Sequence, residues 1–362
     1  MKNTKNVNFF HDLPLFGMDI GHGTLKVMQI EKPTVKDSKA TPKVLGYGIA
    51  TFDKASQEDG VVVKPEIIAE AAGSLFKNHL IGDISTRRVA IAIPAYRTFT
   101  RSIEVPKLND KELKEAIELE AEQYIPLPLN QLYLDYQKIR ETSDTVEIFI
   151  VAVPKTIVDS YLELTQILGL EAVLIEPTLS SSGRLFELDK HSDVASFIID
   201  FGSLSADISI FDNQVLVTGT VQGGGVNFTE SIRSKLGVTL QEAALIKTRY
   251  GLNASKKQAE IKTALEPTLI QIVKEIQRMM RYYEERYGNK KPIGQVVTTG
   301  GGANMPGLNE YFTDSLRIPV RQVEPWAYLN YKGLQPPAIA DKPMFATVAG
   351  LGLVNPRKVF SK

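Results

Sequence analysis

Two short phrases with the residue types that bind phosphate recur in the two halves of the chain. The first is Asp19-Ile-Gly21-His22-Gly23-Thr24-Leu-Lys26, and the second is Asp200-Phe-Gly202-Ser203-Leu-Ser205-Ala-Asp207. Each follows an apolar run and leads into another, which predicts a strand, a tight turn and a second strand. Glycines in such turns let backbone N–H groups approach an anion, while hydroxyls and carboxylates serve phosphate oxygens and Mg²⁺. Two such turns facing each other would hold a nucleotide polyphosphate.

A single Asp-x-Gly turn is weak evidence, because an Asp in a hairpin commonly bonds only its own backbone. Two further glycine clusters strengthen the nucleotide interpretation. Gly223, Gly224 and Gly225 precede a predicted helix, whose N-terminus offers more backbone donors to phosphate. Gly300, Gly301 and Gly302 directly follow an apolar strand, where backbone without side chains would let adenosine lie flat.

The order of these motifs along the chain resembles the actin-like ATPase superfamily, which includes actin, the heat-shock chaperone ATPases, sugar kinases and bacterial FtsA. Within it, the stretch Glu120-Ala-Glu-Gln123-Tyr124-Ile125-Pro126-Leu127-Pro128 is similar to the PilM family of type IV pilus assembly. The resemblance covers nearly the whole chain. It implies an α/β, actin-like (ribonuclease H-like) two-domain fold with a small inserted α+β subdomain, as in FtsA and PilM.

The predicted elements divide the chain in a way that agrees with this resemblance. Residues 1–86 and 172–194 are expected to form the first actin-like domain, and residues 87–171 the inserted subdomain. Residues 195–225 and 292–362 are expected to form the second domain, with 226–291 as its helical subdomain. Strand 89–93 could instead extend the parent sheet. Segment 346–352 is rich in small residues and predicts a helix that crosses another helix closely.

The resemblance implies a role for individual residues in a cleft between the halves. Asp19 and Asp200 would hold Mg²⁺, mostly through water, because Mg²⁺ gives up its hydration reluctantly. Lys26 would place a point charge near the β- and γ-phosphates, and Lys247 would contact the ribose. Glu176 would orient the attacking water as a catalytic residue, although an acid at the foot of a helix can also serve only to stabilise the helix end.

The remaining predicted nucleotide contacts come from the turns and glycine clusters. They are Gly21, His22, Gly23, Thr24, Gly202, Ser203, Ser205, Gly223, Gly224, Gly225, Gly300, Gly301 and Gly302. Two positions depart from the family pattern. His22 stands where a small Ser or Gly is usual, and Ala244 replaces the acid that accompanies Lys247 on the ribose.

Composition limits the partners and the compartment. Lys+Arg and Asp+Glu both number 42, so no charge excess is present to hold a nucleic-acid backbone. The absence of cysteine suits a cytoplasmic protein, and no apolar run approaches the roughly 18–20 residues that span a bilayer. The first 14 residues lack a secretory segment, and residues 355–362 are too short for the amphipathic anchor that FtsA carries. We therefore expect a cytoplasmic protein that reaches the inner membrane through a partner.

The resemblance implies a cytoplasmic ATP-binding assembly protein of the type IV pilus platform, with slow or no ATP hydrolysis. It would bind a short cytoplasmic peptide of a PilN-like membrane protein in a nucleotide-sensitive way, and the turn at residues 124–128 is a candidate rim of that site. The pilus motor ATPases are further candidate partners. Two alternatives remain: an FtsA-like cell-division filament protein, and a sugar-kinase-like phosphotransferase, which would need a carboxylate base beside its acceptor hydroxyl.

Overall fold

The computed structural model describes residues 13–33, 40–189, 194–288 and 291–356. The ends of the chain, 1–12 and 357–362, on which the expectations about leaders and anchors partly rest, lie outside the described residues. The elements before the insertion are β1 (Phe16–Gly21), β2 (Thr24–Glu31), β3 (Lys43–Thr51), β4 (Gln57–Glu58), β5 (Val61–Val62), α1 (Pro65–Ser74), β6 (Ile81–Gly82) and β7 (Arg88–Ile93).

The middle of the chain holds the insertion and the connection between the halves. Its elements are β8 (Phe99–Pro106), α2 (Asp110–Tyr124), β9 (Leu132–Glu141), β10 (Thr145–Pro154), α3 (Lys155–Ile167), β11 (Glu171–Pro177) and α4 (Thr178–Phe186). The second half comprises β12 (Ala195–Phe201), β13 (Ser205–Phe211), β14 (Val215–Gln222), α5 (Gly225–Leu236), α6 (Leu240–Arg249), α7 (Gln258–Tyr287), β15 (Ile293–Thr299), α8 (Leu308–Leu316), β16 (Val320–Gln322) and α9 (Ala346–Gly352).

Two sheets that share an equivalent order of five strands form the centre of the molecule, and the first sheet has β6 as an additional edge strand. The first runs β11-β7-β1-β2-β3-β6 and the second runs β14-β13-β12-β15-β16. In each, three antiparallel strands are followed by two strands that pair in parallel. The repeated phrase in the sequence therefore reflects a repeated fold. The two hairpins also share the same strand register. Asp19 lies opposite Lys26 in the first, and Asp200 lies opposite Asp207 in the second.

The inserted subdomain is smaller than predicted. It comprises the sheet β8-β10-β9 and α2, which begins with a capping box between Asn109 and Glu112. The prediction that strand 89–93 belongs to it was wrong, because β7 pairs with β1 and β11 in the first sheet and is buried throughout. An unbroken apolar run is typical of such a central parallel strand. The apolar face of α3 likewise packs in the core of the first domain, through Ile157, Tyr161 and Leu164.

The inserted subdomain contacts both domains. On one side, Val153 of β10 packs against the first-domain core. On the other, the Ser102 hydroxyl donates to the Leu216 carbonyl of β14 at 2.7 Å. Glu147 of β10 is 3% exposed and accepts from Arg286 Nε at 3.0 Å and from the Tyr287 hydroxyl at 2.5 Å, both on α7. The insertion therefore bridges the two halves outside the cleft.

The two domains are joined where α4 and α9 cross. A Cβ at Gly350 of α9 would collide with the Ser181 carbonyl of α4, so the two backbones are in direct contact there. The Ser182 and Thr347 hydroxyl oxygens lie 3.2 Å apart beside it. Arg184 donates to both carboxylate oxygens of Glu176 at 2.7 Å and to the Gly350 carbonyl at 2.9 Å. This guanidinium therefore links the end of β11 to the last turn of α9.

Gly350→Ala should lower the free energy of unfolding by about 1–3 kcal/mol, the usual cost of forcing extra atoms into a packed interior. The matched control is Gly73→Ala on α1, where an added Cβ meets nothing within 4 Å. That change should be neutral or stabilise the protein by up to about 1 kcal/mol, since alanine is the better helix former. Urea denaturation followed by circular dichroism measures both. Equal effects of the two substitutions would contradict the close crossing.

Candidate functional site

A cavity of about 530 Å³ lies between the two repeats, and both aspartate-bearing turns line it. It brings together most of the residues that the sequence motifs predicted. Those that line it are Asp19, Gly21, His22, Thr24, Lys26, Asp200, Gly202, Ser203, Ser205, Gly225, Lys247, Gly300, Gly301 and Gly302. Gly23, Gly223, Gly224 and Glu176 are not among the described residues that line it.

The three glycines outside the lining allow turns and close approaches. Gly23 has φ +89° and Gly223 has φ +114°. Residues other than glycine disfavour these positive φ values. A Cβ at Gly224 would collide with the Gly202 carbonyl. Only glycine at that position therefore lets the start of α5 lie directly against the second aspartate-bearing turn.

The first turn contains a buried ion pair. Lys26 Nζ lies 2.6 Å from Asp19 Oδ2, and the two residues are 5% and 6% exposed. Their positions follow from the register, which places them opposite each other on β1 and β2. Removing either partner alone would leave an uncompensated buried charge. Lys26 is therefore held at the cavity wall by Asp19.

The second turn places two acids where the first has an acid and a lysine. Burial, together with the nearby Asp200 carboxylate, raises the pKa of Asp207 to about 7. Burial and the Asp19 carboxylate likewise raise the pKa of Asp200, against the opposing charge of Lys26, to about 6. The Thr220 hydroxyl donates to Asp207 at 2.8 Å. Asp19, Asp200 and Asp207 therefore all line one cavity, with Asp19 already paired with Lys26.

The helices of the second domain form the opposite wall. Lys247 Nζ on α6 donates to the Gly225 carbonyl and to the Thr229 hydroxyl of α5, both at 2.7 Å. Burial lowers the pKa of Lys247, and Lys54 from the first domain lowers it further. Ala244 also lines this wall. Lys247 therefore ties α6 to the first turn of α5 and keeps its charge at the cavity.

The third glycine cluster forms a wall of bare backbone. Gly300 has φ +81°, and a Cβ there would collide with Asp200 Oδ1. The position therefore requires glycine both for its conformation and for its contact with the second aspartate. A Cβ at Gly301 would find the Met344 side chain 3.6 Å away. A flat ring could lie on this surface without meeting a side chain from the loop itself.

Glu176, predicted to orient water, does not reach the cavity. Both of its carboxylate oxygens accept from Arg184 at 2.7 Å, beside the crossing of α4 and α9. Because Glu176 lies near the end of β11 beside the partly buried Arg184 guanidinium, its carboxylate is satisfied at the domain junction. The prediction of a catalytic Glu176 is therefore not supported by its position. Thr178, two residues later, does line the cavity.

Some cavity residues were given no role on the basis of the sequence. They are Lys54, Gln57, Asp59, Gly60, Tyr96 and Asp207, together with Thr229, Thr248 and Met344. Asp207 could have been found, because it stands in the second phrase at the offset that Lys26 has in the first. Asp59-Gly60 is a strong signal for a hairpin turn, but it does not indicate where the hairpin packs.

A second, smaller cavity of about 250 Å³ lies beside the first. It is enclosed by the insertion, the start of α4 and strand β14, through residues such as Phe149, Pro177 and Thr218. Tyr96 lines both cavities. The Tyr124 hydroxyl is buried and has no hydrogen-bond partner among the described residues, and burial raises the pKa of Tyr124 to about 12.

No group of three or more His, Cys, Asp and Glu side chains in the described ranges is arranged to hold a metal ion. No helix in this part of the chain is long and apolar enough to cross a membrane.

Comparisons with known proteins agree with this geometry. The family model of type IV pilus assembly protein PilM matches residues 17–355. Cell division protein FtsA of Bacillus subtilis is 27% identical over 280 residues, which cover 66% of this chain and 59% of FtsA. The chain thus spans less than two thirds of the length of this relative.

Solved structures resemble the fold over almost its whole length. A PilM-PilN type IV pilus biogenesis complex has a TM-score of 0.78 at 23% identity, covering 94% of this chain and 98% of that chain. MreB5 of Spiroplasma citri bound to AMPPNP has a TM-score of 0.51 at 12% identity, covering 94% and 95%. These likenesses confirm the predicted actin-like fold. Together with the family match, they show that the chain belongs to the PilM family of actin-like type IV pilus assembly proteins.

Proposed function

We propose that this chain binds Mg·ATP between its two repeats with slow or no hydrolysis, and that the nucleotide controls binding of a short cytoplasmic peptide from a PilN-like membrane protein. The observation that carries the first part is the convergence of both aspartate-bearing turns and Gly300 to Gly302 on one cavity. A protein of similar fold, MreB5 of Spiroplasma citri, binds AMPPNP, which supports a nucleotide as the ligand.

The residues of the cavity fit a nucleotide that arrives with Mg²⁺. The ion would neutralise phosphate charge. Asp19, Asp200 and Asp207 would hold it through retained water, as Mg²⁺ prefers. Since the described side chains do not form a metal site by themselves, phosphate oxygens would complete the binding. Backbone N–H groups of the two turns would hold the phosphates, while the first N–H groups of α5, those of Gly225 and Val226, already donate to the Gly202 and Ser203 carbonyls of the second turn.

Slow or absent hydrolysis follows from the position of Glu176. A carboxylate that accepts two hydrogen bonds from one guanidinium is strongly oriented, and here that orientation is toward α9. The carboxylate that the resemblance assigns to the attacking water is therefore engaged at the domain junction. The site would then act as a nucleotide sensor more than as an ATPase.

The second cavity supports the partner part of the proposal. The complex of PilM with PilN has the fold of this chain. The second cavity joins the insertion to β14, and the unpartnered Tyr124 hydroxyl offers a donor to a peptide carbonyl. Thr220 lines this second cavity, and its hydroxyl also donates to Asp207, which lines the nucleotide cavity. A ligand at Asp207 could therefore alter the wall of the peptide site. Binding to such a partner would also place the protein at the inner membrane.

Asp200→Asn should weaken Mg²⁺-dependent binding of AMPPNP by at least about tenfold, equivalent to about 1.4 kcal/mol, because one carboxylate near the ion is lost. Glu66→Gln should leave the affinity unchanged, since Glu66 lies in the exposed first turn of α1 and is not among the residues that line the cavity. Isothermal titration calorimetry measures both, with circular dichroism as the check on folding. Strong binding by folded Asp200→Asn would contradict the proposed metal position.

The affinity for Mg·AMPPNP should fall as the pH is lowered from 8 to 6. The pKa of Asp207 is raised to about 7 by burial, so below that pH the ion must displace a proton. The expected loss is about tenfold per pH unit below 7. Asp207→Asn should show a shallower dependence, and this comparison removes the contribution of the nucleotide's own protonation.

The stability of the nucleotide-free protein should change with pH in the opposite direction to its nucleotide affinity. A carboxyl whose folded-state pKa is raised stabilises the fold at low pH and loses that contribution as the pH rises through the folded value. The unfolding free energy of the unaltered protein, measured relative to that of Asp207→Asn, should therefore increase as the pH falls through about 7. Identical pH profiles for the two proteins would show that Asp207 is not the titrating group.

A synthetic peptide of the cytoplasmic N-terminus of the PilN-like partner should bind with an affinity that changes when Mg·AMPPNP is added. Tyr124→Phe should weaken peptide binding several-fold, because a neutral hydrogen bond contributes about 1 kcal/mol, while AMPPNP affinity stays unchanged. Fluorescence anisotropy of labelled peptide measures this. Tyr136→Phe on the same subdomain is the matched control. An equal loss in both variants would argue against the Tyr124 contact.

A further inference from the structure

A short hairpin outside the predicted motifs forms part of the nucleotide cavity. It runs from residue 53 to residue 62 and contains a 3-10 turn at Lys54–Ser56 followed by β4 and β5. Asp59 and Gly60 form its tip, both with positive φ. Lys54, Gln57, Asp59 and Gly60 line the cavity. We refer to it as the 53–62 hairpin.

The base of the 53–62 hairpin is fixed to the first domain. Ser56 is fully buried, and the Val62 N–H donates to the Ser160 hydroxyl of α3 at 3.1 Å. Asp59 at the tip forms an ion pair with Arg97, in the short turn that leads from β7 into the insertion. The hairpin backbone is therefore anchored at both its base and its tip.

Lys54 projects from this anchored backbone along the first aspartate-bearing turn. Asp53 caps its turn by accepting from the Ala55 N–H at 2.9 Å. A Cβ built at Gly23 would lie 2.8 Å from Lys54 Cγ and 3.4 Å from Cε. The aliphatic part of the lysine therefore lies against Gly23, and a side chain there would displace it. The ammonium group is left at the solvent-exposed mouth of the cavity.

Lys54 differs from the other two lysines of the cavity in its partners. Lys26 is paired with Asp19, and Lys247 donates to two groups of α5. Within the described ranges, no carboxylate oxygen lies within 4.0 Å of the Lys54 ammonium. Its charge is consequently available to an anion that enters the cavity.

The field of Lys54 reaches both walls of the cavity. Burial lowers the pKa of His22 in the first turn, and the charge of Lys54 lowers it further. The same two effects lower the pKa of Lys247 in the second domain. Positive groups from opposite walls thus repel each other in the free protein. A bound polyanion would relieve this repulsion.

We propose that Lys54 binds the terminal phosphate of a nucleoside triphosphate and so distinguishes triphosphate from diphosphate at this site. The inference rests on the proposed nucleotide function. A base lying on the glycine wall of the second domain would direct the phosphates toward the turns, and Lys54 stands on the first-domain side, beside Gly23. The last phosphate would therefore be the one that this ammonium group reaches.

The test compares affinities for Mg·AMPPNP and Mg·ADP by isothermal titration calorimetry with the full chain. Lys54→Met keeps the length of the side chain and removes its charge. It should weaken AMPPNP binding by about tenfold, as expected for the loss of a charged hydrogen bond, and ADP binding by less than about twofold. Lys54→Arg should retain most of the preference for AMPPNP. Lys64→Met, at the exposed N-terminal cap of α1, is the matched control and should bind both nucleotides normally.

The outcomes separate this inference from the function on which it rests. If the unaltered protein binds AMPPNP and Lys54→Met binds it equally well, the role of Lys54 is overturned and the nucleotide site stands. An equal loss for AMPPNP and ADP would also overturn the role, because the lysine would then contact phosphates that the two share. If the unaltered protein binds neither nucleotide, the proposed function and the inference fall together.

Discussion

The cavity depends on the close contact between α4 and α9, which cross at Gly350 and Ser181. Each domain builds its own aspartate-bearing turn within its own sheet, so neither sheet determines how far apart the turns are. That separation is set where these two helices touch backbone to backbone, together with the packing of Tyr47 of β3 against Trp326 and Phe345. The Arg184 guanidinium bonds Glu176 and the end of α9 at the same place. A change in crossing angle would move Asp19 relative to Asp200 and thereby open or close the site.

The parts of the fold that could be predicted are those encoded by local chemistry. A glycine-bearing turn between apolar runs specifies strand, turn and strand without reference to the rest of the chain, and both copies formed as expected. The convergence of the turns followed from the repeat itself. Lys54 could not be predicted in this way, because its position depends on the packing of the 53–62 hairpin against α3 and Gly23. Such contacts leave no periodic signal in the sequence.

The assignment of strand 89–93 was wrong, and the position of Glu176 does not support its predicted role. Both have a common cause, which is that residue type was interpreted without its neighbours. The run at 89–93 suits any buried strand, and only its parallel pairing with β1 and β11 places it in the parent sheet. Glu176 stands at the predicted foot of α4, yet Arg184 on the next turns of that helix takes up its carboxylate. In both cases the role was decided by a partner that the local sequence does not identify: β1 and β11 for the strand, and Arg184 for Glu176.

The insertion is the element through which a change in domain angle would reach a partner. It is fastened to the second domain through Glu147 and Ser102, and to the first through Val153. A rotation at the α4 and α9 crossing cannot preserve both attachments unless the insertion itself shifts. The Glu147 carboxylate is buried against α7, so losing that contact would be costly, whereas apolar side chains can slide with little change in buried area. We therefore expect the insertion to follow the second domain, so that movement is taken up beside Phe149 and Tyr124, where the second cavity lies.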